Sequence, residues 1–506
     1  MILDYRTYKD KVRGCWLGKN IGGTLGTPYE GKRGVFNVTG YSHNIAEGSL
    51  PNDDLDLQLV FLCAAEEWGR KVDAKILGEY WIQSIVGNWS EYGMCKNNMR
   101  NGILPPASGH FLNPYGNSCG CFIRSEIWAC LAPGHPEIAV KYALEDAMVD
   151  HTDEGLYGEI FVAALEAAAF VEKDREKLIE IAFSYIPEDC AIAKAIKLVA
   201  ECYRSGKTWR QARATLLNTY PDAFCFTIMD DIAPEDACPV GEPGYDAPAN
   251  VAIAMLGWYY GEGDFGKSLC VAASCGEDAD CTCATLGSIF GILHGASAIP
   301  EEWIKPIGED IKTISLDLTD CNVKICKNIT ELTDRVTKLM PVFLGNNIVY
   351  TEDGAVTIAC DESSLFDKPL KVNGSVPAKW TFRDELAHRM HYTLKEENAI
   401  YNAFIDYNGS IEISEGEEKE IAIKTFNKFG RMYWADINVF APAEWEVLPV
   451  RSPQIMIDTR KKQWHDVKSI KLVPHGLTKG IYRFPIEVKI VDHPTSTYLT
   501  ATFVVK

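Results

Sequence analysis

Two pairs of closely spaced carboxylates are the residues of this sequence best suited to chemistry. Asp278 and Asp280 lie two residues apart in EDADCTCATLGSIFGILHG, directly before a run of small and apolar side chains. Asp53 and Asp54 follow Asn52 in PNDDLDLQLVFLCAAEEW. Carboxylates forced together in a partly dry site repel each other, and one or two divalent cations offset that repulsion. The two pairs therefore favour a site for a hard cation, which prefers oxygen ligands.

Each pair also has a purely structural interpretation. Asp280 can cap the helix that follows it, with Asp278 left in solvent. Asn52 can likewise cap a helix whose first turn contains Asp53 and Asp54. Residues i and i+2 of a regular helix point roughly 200° apart. Asp278 and Asp280 therefore converge on one ligand only if an irregular turn leads into the helix.

Glycine-rich helices are predicted to position these carboxylates. The segment before Glu30 and the segment after Asp280 have helical patterns, and both contain closely spaced glycines, namely Gly18, Gly22, Gly23, Gly26, Gly287, Gly291 and Gly295. Such glycines leave a smooth stripe on which another helix can approach closely. The same composition also occurs in helices that only pack, so the stripe by itself does not define a site.

The pattern of apolar residues changes near residue 340. Before it the pattern is helical, and a last helix has Ile329, Leu332 and Val336 on one face, with Pro341 expected to end it. After it, runs such as YRFPIEVKIVD alternate apolar and polar residues as half-buried strands do. We therefore predict an α + β multidomain chain, with an all-α helical bundle over 1–340 and an antiparallel β-sandwich over 341–506. The sequence contains no repeat of 20 to 50 residues, so a solenoid is not predicted.

Composition and charge exclude several classes of partner. The 506 residues are 47% hydrophobic and 24% charged, and the formal net charge is −20, which disfavours nucleic acids and anionic membranes. The sequence shows neither a signal-peptide pattern nor an apolar run of about 18 residues, so we expect a cytoplasmic protein. The 17 cysteines are scattered and form no CxxC pair, which favours reduced thiols over disulfides or structural zinc. The oligomeric state is left open.

Five motifs, taken in chain order, resemble the ADP-ribosylglycohydrolase family, which includes the regulatory hydrolase of dinitrogenase reductase. They are GCWLGKNIGGTLGTPYEG, NDD, GNSCGCFIRSEIWACLAPGHPE, DHTDEGLYGEIFVAALEAAAF and EDADCTCATLGSIFGILHGASAIPEEW. The resemblance covers roughly residues 8 to 305. The predicted sandwich lies outside it.

The resemblance implies an orthogonal helical bundle with one or two Mg²⁺ ions, or Mn²⁺, in a central cleft. It implies these metal ligands: Asn52, Asp53, Asp54, Asp278, Asp280 and Cys281. It also implies that Glu30 lies beside the metals and assists catalysis together with Asp53 and Asp280. The implied substrate contacts near the distal ribose are His151 and a loop of Asn117, Ser118, Cys119 and Gly120.

Two residues depart from the family pattern. Asn52 replaces a hydroxyl ligand, although its amide oxygen is also a hard donor. Cys281 replaces a threonine or serine, and sulfur is a poor partner for Mg²⁺. We therefore expect that one metal is weakened or lost, or that the site favours Mn²⁺. A nucleophilic Cys281 is disfavoured, because neighbouring carboxylates raise the pKa of a thiol.

Other chemistry-bearing residues have structural alternatives. Arg124 can face the cleft or form a buried ion pair, and we favour the ion pair. Trp258 could stack on a nucleobase, and Trp434 and Trp445 on a sugar, yet clustered aromatic residues are more often core. No GxGxxG motif occurs between a strand and a helix, so the sequence offers no Rossmann cofactor site.

The sequence therefore predicts a metal-dependent hydrolase that cleaves a ribosyl N- or O-glycosidic bond. The expected substrate is an ADP-ribosylated protein or a small ADP-ribosyl compound. One alternative is a glycosidase that acts on a free riboside or another small glycoside in catabolism. A second is a non-catalytic ADP-ribose-binding protein, for which Cys281 at a ligand position is the supporting feature.

Overall fold

The chain folds into two compact units. In the computed structural model, the structure describes residues 2–221, 227–228, 233, 236, 245–319, 323–350, 356–369, 380–389, 392–429, 431–458 and 465–506. Unit 1 comprises residues 1–96 and 112–367, and unit 2 comprises residues 97–111 and 368–506. The main division between compact units thus lies at residue 367, whereas the sequence pattern placed the domain boundary near residue 341.

Unit 1 is mainly helical, as the sequence predicts. Short 3-10 turns link several of its helices, and α5 and α17 belong to unit 2. The helices are α1 (Tyr5–Gly26), α2 (Asp53–Trp68), α3 (Ala74–Ser84), α4 (Ser90–Arg100), α5 (Ala107–His110), α6 (Glu126–Leu131), α7 (Pro136–Ala147), α8 (Asp153–Ala169), α9 (Arg175–Ser184), α10 (Ala191–Arg204), α11 (Trp209–Thr219), α12 (Ala247–Gly261), α13 (Phe265–Ser274), α14 (Ala279–His294), α15 (Glu301–Ile304), α16 (Ile329–Leu344) and α17 (Phe382–Arg389).

Helices α1 and α14 lie antiparallel with their backbones in direct contact. A Cβ atom added at Gly18 would lie 2.0 Å from the carbonyl oxygen of Gly287, and one at Gly22 would lie 2.1 Å from that of Cys283. One helical turn further, a Cβ at Gly26 would lie 2.2 Å from the carbonyl oxygen of Ala279. The predicted close approach of the glycine stripes is therefore confirmed. Since the helices run in opposite directions, the end of α1 meets the beginning of α14.

Helix α16 continues through the proline that was expected to end it. It spans Ile329–Leu344 and contains Pro341, and Phe343 and Leu344 in its last turn are buried. Proline removes one backbone donor, but burial of these two apolar side chains favours the extra turn. The predicted apolar face is confirmed, because Ile329 and Val336 are fully buried.

Two small sheets complete unit 1. One has the order β1 (Ile2–Asp4), β6 (Val356–Ala359), β5 (Ile348–Tyr350), with antiparallel pairing throughout. The other has β2 (Lys32–Arg33) between β3 (Thr227–Ile228) and β4 (Gly276–Glu277). The β2–β4 pair places Lys32 opposite Glu277 and thereby holds the chain just after Glu30 against the chain just before Asp278.

Unit 2 contains two five-stranded sheets. The first has the order β12-β14-β10-β8-β7 and the second β13-β11-β15-β16-β9. All pairs are antiparallel except β16–β9, which is parallel. The strands are β7 (Thr393–Glu397), β8 (Tyr401–Asp406), β9 (Glu412–Ile413), β10 (Lys419–Asn427), β11 (Tyr433–Val439), β12 (Glu446–Leu448), β13 (Gln454–Ile457), β14 (Asp466–Val473), β15 (Ile481–Ile490) and β16 (Ser496–Val505).

One hydrophobic core joins the two sheets of unit 2. In β15, Ile486, Val488 and Ile490 are buried, as the alternating pattern predicts. Ile421 of the first sheet lies in the same core. Trp445 is buried there too, which confirms its expected core role. The core role expected for Trp434 is wrong, because its side chain is 52% exposed. The predicted α + β class, with helices first and a β-sandwich after them, is therefore confirmed.

The described cysteines are all free thiols, and most of them are buried. Within the described ranges, no helix combines the length and the apolar character that crossing a bilayer requires.

Candidate metal and active site

Three carboxylates from the α1–α14 junction meet at one point. Glu30, Asp278 and Asp280 each place one carboxylate oxygen within 4.8 Å of the others. Glu30 is exposed, while Asp278 and Asp280 are buried. The antiparallel contact of α1 with α14 explains this, because Glu30 follows the end of α1 and the two aspartates flank the start of α14.

An irregular turn allows Asp278 and Asp280 to converge. Asp278 occupies the N-cap position of α14, yet its side chain makes no capping hydrogen bond. Glu277 before it has a positive φ of 61°, a conformation that costs a non-glycine residue free energy. Its buried carboxylate is held by Arg33, at 2.8 Å, and by Arg213, at 3.4 Å. The interpretation in which Asp280 caps the helix and Asp278 lies in solvent is therefore wrong, because Asp278 occupies the N-cap position and is buried, and the predicted irregular turn is confirmed.

The second acidic pair reaches the same place from α2. Asn52 caps this helix, since its side-chain oxygen accepts a hydrogen bond of 2.7 Å from the backbone N–H of Asp54. Asp54 is buried, and one of its oxygens lies within 4.8 Å of ligand atoms of Asp280 and Cys281. Asp53 is half-buried and accepts a hydrogen bond of 3.0 Å from the Tyr92 hydroxyl. We call Glu30, Asp53, Asp54, Asp278 and Asp280 the acidic cluster.

A buried lysine supplies positive charge beneath the acidic cluster. Lys19 Nζ lies 4.0 Å from Asp54 Oδ2 and 2.7 Å from Glu126 Oε1. Gln58 also donates to Glu126, at 2.8 Å. Lys19 is therefore shared between two buried carboxylates, and one lysine leaves most of the negative charge of the cluster uncompensated.

Mutual repulsion and burial raise the pKa values of the cluster. The negative charge of Asp280, followed by burial, raises the pKa of Glu30 to about 9. Burial, followed by the charge of Asp280, raises the pKa of Asp53 to about 6. Burial also raises the pKa of Asp54 and of Asp278 well above the usual value. Without a cation, the cluster therefore retains protons near neutral pH.

Two thiols border the cluster. Cys119 Sγ donates to Asp278 Oδ2 at 2.6 Å, and Cys281 Sγ donates to Asp54 Oδ1 at 3.3 Å. Burial, followed by a hydrogen bond to Cys119 and by nearby carboxylates, raises the pKa of Cys281 well above its usual value. A nucleophilic thiolate is therefore disfavoured at Cys281, as expected.

The predicted substrate loop is held by contacts on both of its sides. Asn117 accepts a hydrogen bond of 3.0 Å from the backbone N–H of Glu154. Cys119 donates its backbone N–H to Tyr245 at 2.6 Å. Gly120 packs so closely that an added Cβ would lie 2.0 Å from Glu91 Oε1. The loop therefore has a defined conformation beside Asp278.

Both ring nitrogens of His151 lie close to polar atoms, and Nε2 is the one with hydrogen-bond geometry. Nε2 lies 2.8 Å from the Ser118 hydroxyl, and Nδ1 lies 2.9 Å from Asp150 Oδ1. Asp150 is in turn paired with Arg124, whose Nη1 donates to it at 3.0 Å. The ion pair expected for Arg124 is confirmed, and it also includes Asp146 at 2.7 Å.

This chain of contacts has the connectivity of a Ser-His-Asp triad. Its accessibility argues against that chemistry, because Ser118, Asp150 and His151 are at most 2% exposed. Arg124 also neutralises Asp150. The arrangement instead fixes the orientation of the loop that carries Ser118.

The oxygen-rich side of the cluster fits a divalent metal. Glu30, Asp278 and Asp280 offer three carboxylates, the donor type that Mg²⁺ and Mn²⁺ prefer. The Oδ1 atom of Asp280 is buried and has no hydrogen-bond partner among the described residues. A buried charged oxygen without a partner is costly unless a cation or proton satisfies it. The donors and the unpartnered oxygen therefore both suit a cation.

Comparisons with known proteins identify the family of the chain. Residues 4–340 match the ADP-ribosylglycohydrolase family. A solved structure titled "ADP-ribosylglycohydrolase-related protein complex" is similar at 20% sequence identity and a TM-score of 0.44, over 67% of this chain and 99% of that one. No curated protein sequence matches the chain. Because the family match covers well over half of the sequence, the chain belongs to the ADP-ribosylglycohydrolase family, a family of glycohydrolases.

Several residues that surround the site escaped sequence reasoning. Tyr92 binds Asp53, and Tyr245 lies near enough to Asp278 and Glu30 that their charges, after burial, raise the pKa of its phenol. Asp56 was not distinguished from its neighbours, and its Oδ2 accepts three hydrogen bonds from residues 314–315. The capping pattern of α2 was the only sequence signal near any of these residues. It could not identify the partners of Asp56, because the sequence of a helix does not show which distant residues its first turn contacts.

Proposed function

We propose that the protein is a metal-dependent hydrolase that cleaves a ribosyl N- or O-glycosidic bond. Its substrate is an ADP-ribosylated protein or a small ADP-ribosyl compound. The observation that carries the proposal is the convergence of Glu30, Asp278 and Asp280, with Asp54 beside them, in a chain of the ADP-ribosylglycohydrolase family. Glu30, Asp54 and the Asp278–Asp280 pair are far apart in sequence, so capping does not explain why they meet.

The proposed cofactor is one or two Mg²⁺ ions, with Mn²⁺ as the alternative. Asp53, Asp54, Asp278 and Asp280 would hold it, and Asn52 would assist through the free lone pair of its amide oxygen. When bound, such a cation offsets the negative charge of the cluster and holds substrate hydroxyls and a water in a fixed relation. The same charge lowers the pKa of Glu30, because it opposes the repulsion from Asp280.

Glu30 is the proposed base. It is the exposed member of the cluster, so water reaches its carboxylate. As an ionised carboxylate it accepts a proton from the attacking water. Cleavage at a ribose anomeric carbon passes through an oxocarbenium-like state, and the negative charges of Asp53 and Asp280 stabilise that state.

The loop of Asn117, Ser118, Cys119 and Gly120 is proposed to contact the distal ribose. His151 acts through this loop, since its two ring nitrogens lie close to Ser118 and Asp150. It is therefore a positioning residue: it holds the Ser118 hydroxyl in one orientation, and Asp150, which Arg124 fixes, lies 2.9 Å from its other ring nitrogen.

Replacement of Asp280 tests the proposal. Asp280→Ala removes the carboxylate with the unpartnered buried oxygen, so we expect hydrolysis of ADP-ribosyl-arginine or ADP-ribosyl-serine to fall by ~10²-fold or more. Stabilisation of the protein by Mg²⁺, measured as the shift in Tm, should be lost together with activity. Asp189→Ala, at an exposed aspartate, is the control and should preserve both.

Full activity in Asp280→Ala would refute the proposal. A substrate screen separates it from the alternatives. Turnover of simple ribosides without an ADP group would favour a glycosidase of small-molecule catabolism. Binding of ADP-ribose in calorimetry without turnover in any metal would favour a non-catalytic protein, the alternative that Cys281 supports.

A further inference from the structure

Two cysteines lie beside the acidic cluster, and one of them departs from the family pattern. Cys281 stands at a position of threonine or serine in the metal motif, and Cys119 lies on the predicted substrate loop. In the structure, Cys119, Cys281 and Asp278 place their ligand atoms within 4.8 Å of one another, and all three are buried. The thiol of Cys119 donates to Asp278, and that of Cys281 donates to Asp54. Sequence reasoning could not bring the two cysteines together, because they are 162 positions apart and lie on different elements.

The sulfur atoms and the carboxylates form overlapping donor groups. Asp278 belongs both to the group with Cys119 and Cys281 and to the oxygen-only group with Glu30 and Asp280. Asp280 belongs to that oxygen-only group and to a third group with Asp54 and Cys281. The site thus has an oxygen-only side and a sulfur-containing side that share their carboxylates.

Unpartnered buried oxygens point to a ligand on the sulfur-containing side as well. Asp54 Oδ2 and Asp280 Oδ1 have no hydrogen-bond partner among the described residues, and their side chains are at least 97% buried. The contact of Asp54 Oδ2 with Lys19, at 4.0 Å, is too long for a hydrogen bond. Both atoms belong to residues of the group that contains Cys281.

Metal preference follows from the donor atoms. Magnesium takes oxygen ligands and binds thiols poorly, whereas zinc is commonly held by cysteine sulfur together with carboxylate oxygen. Soft thiolate ligands select zinc, whereas carboxylate and water ligands suit magnesium and manganese. The two sulfurs and the carboxylate of Asp278 would supply three of the four ligands that zinc usually takes, and water would supply the fourth.

We propose that Cys119, Cys281 and Asp278, with Asp54 next to Cys281, form a binding position for a thiophilic divalent cation, with Zn²⁺ preferred, beside the oxygen-only side of the cluster. The inference rests on the proposed function for the presence of a cation in this cluster, and it assigns the second position to a different metal. Each thiol that binds the cation releases one proton to solvent, and no oxidation or reduction occurs.

Cobalt is the probe for this position, because Co²⁺ bound by thiolates shows a charge-transfer absorption that oxygen ligands do not produce. The full chain is reduced, stripped with a chelator and titrated with Co²⁺. We expect the thiolate absorption to appear, to saturate at one equivalent, to disappear on addition of one equivalent of Zn²⁺, and to persist in excess Mg²⁺. Absence of the absorption from the reduced protein would overturn the inference.

Serine variants identify the sulfur atoms. Cys119→Ser and Cys281→Ser should each lose the absorption. Cys283→Ser is the matched control, since Cys283 is buried on the same helix and its thiol points to Leu269. It should retain the absorption, as should Cys121→Ser on the loop side, where the thiol donates to Gly155. Persistence of the absorption in the Cys119 and Cys281 variants would overturn the inference.

One further outcome separates a loss of ligand from a loss of fold. Cys281→Ser restores the hydroxyl that the family pattern has, so this variant should bind Mg²⁺ or Mn²⁺ more tightly than the parent while it loses the Co²⁺ absorption. A general loss of all metal binding in this folded variant would contradict the inference. Hydrolysis is measured in parallel: absorption without hydrolysis refutes the proposed function alone, and hydrolysis without absorption refutes this inference alone.

Discussion

At the residue scale, the acidic cluster is defined by charge that the protein itself does not neutralise. Lys19 is the buried cation near it, and it is already shared with Glu126. Protons or metal ions must therefore balance the remaining carboxylates. The excess of negative charge raises the pKa of Glu30 to about 9, and the largest cause is the charge of Asp280.

This imbalance predicts how stability depends on pH. The pKa of Glu30 is raised from 4.5 to about 9 and that of Asp53 from 3.8 to about 6, so between about pH 4 and pH 9 the folded state binds more protons than the unfolded state. Glu30 and Asp53 contribute their full stability below their pKa values in the unfolded state. This contribution is lost as the pH rises through their pKa values in the folded state. We expect the Tm of metal-free protein to fall over this range in differential scanning fluorimetry.

Two controls accompany this pH series. Saturating Mg²⁺ should reduce the fall in Tm, because a bound cation replaces the protons. Asp280→Asn should also reduce it, since this substitution removes the charge that raises the pKa of Glu30 most. An identical fall in metal-free protein, in metal-loaded protein and in the variant would show that the cluster is not its cause.

At the scale of elements, the contact of α1 with α14 places Glu30 beside Asp278 and Asp280. The three backbone contacts at Gly18, Gly22 and Gly26 recur every four residues, one for each helical turn. They set the register of the two helices, and no larger residue fits at these positions.

A methyl group at Gly22 should disturb both the fold and the site. Its Cβ would lie 2.1 Å from the carbonyl oxygen of Cys283, so Gly22→Ala must push the helices apart. We expect a loss of at least ~1–3 kcal/mol in the free energy of unfolding, with weaker metal binding. Denaturant unfolding and metal titration measure the two effects.

Gly158→Ala is the matched control for Gly22→Ala. Gly158 also lies within a helix, α8, but the nearest atoms to its added Cβ are 3.5 Å away, an ordinary contact. Alanine favours the helix over glycine by ~1 kcal/mol, so this variant should be neutral or more stable. Equal losses in both variants would show that helix contact is not the reason for the glycines.

Sequence patterns predicted individual helices and strands better than they predicted the contacts between them. The glycine stripes, the Asn52 cap and the alternating strand of Ile486 and Val488 are local, and the structure confirms them. The prediction that Pro341 ends α16 was wrong, because burial of the following side chains outweighed a lost hydrogen bond.

Long-range contacts could be predicted only where a motif carried them. The convergence of the acidic residues followed from the family resemblance. The position of Cys119 against Asp278 did not, because these residues are 159 positions apart and no local pattern joins them. The link from Arg124 through Asp150 to His151 was likewise invisible, since each of these residues also suits an ordinary buried ion pair.

At the scale of the whole molecule, every predicted site residue lies in unit 1. The sandwich of unit 2 has its own hydrophobic core and contributes none of them. The family match, residues 4–340, also ends before the sandwich begins. The proposed chemistry is therefore assigned to the helical unit, and the net charge of −20 suits a substrate recognised through a metal rather than through a basic surface.

Anomalous diffraction from crystals soaked with Mn²⁺ and ADP-ribose tests the central claim most directly. The account predicts a metal peak in direct contact with carboxylate oxygens of Asp278 and Asp280, at about 2.1 Å as for magnesium-sized ions. It also predicts that ribose hydroxyls lie next to that peak. A map with no metal at these oxygens, or with ADP-ribose bound elsewhere on the protein, would contradict it.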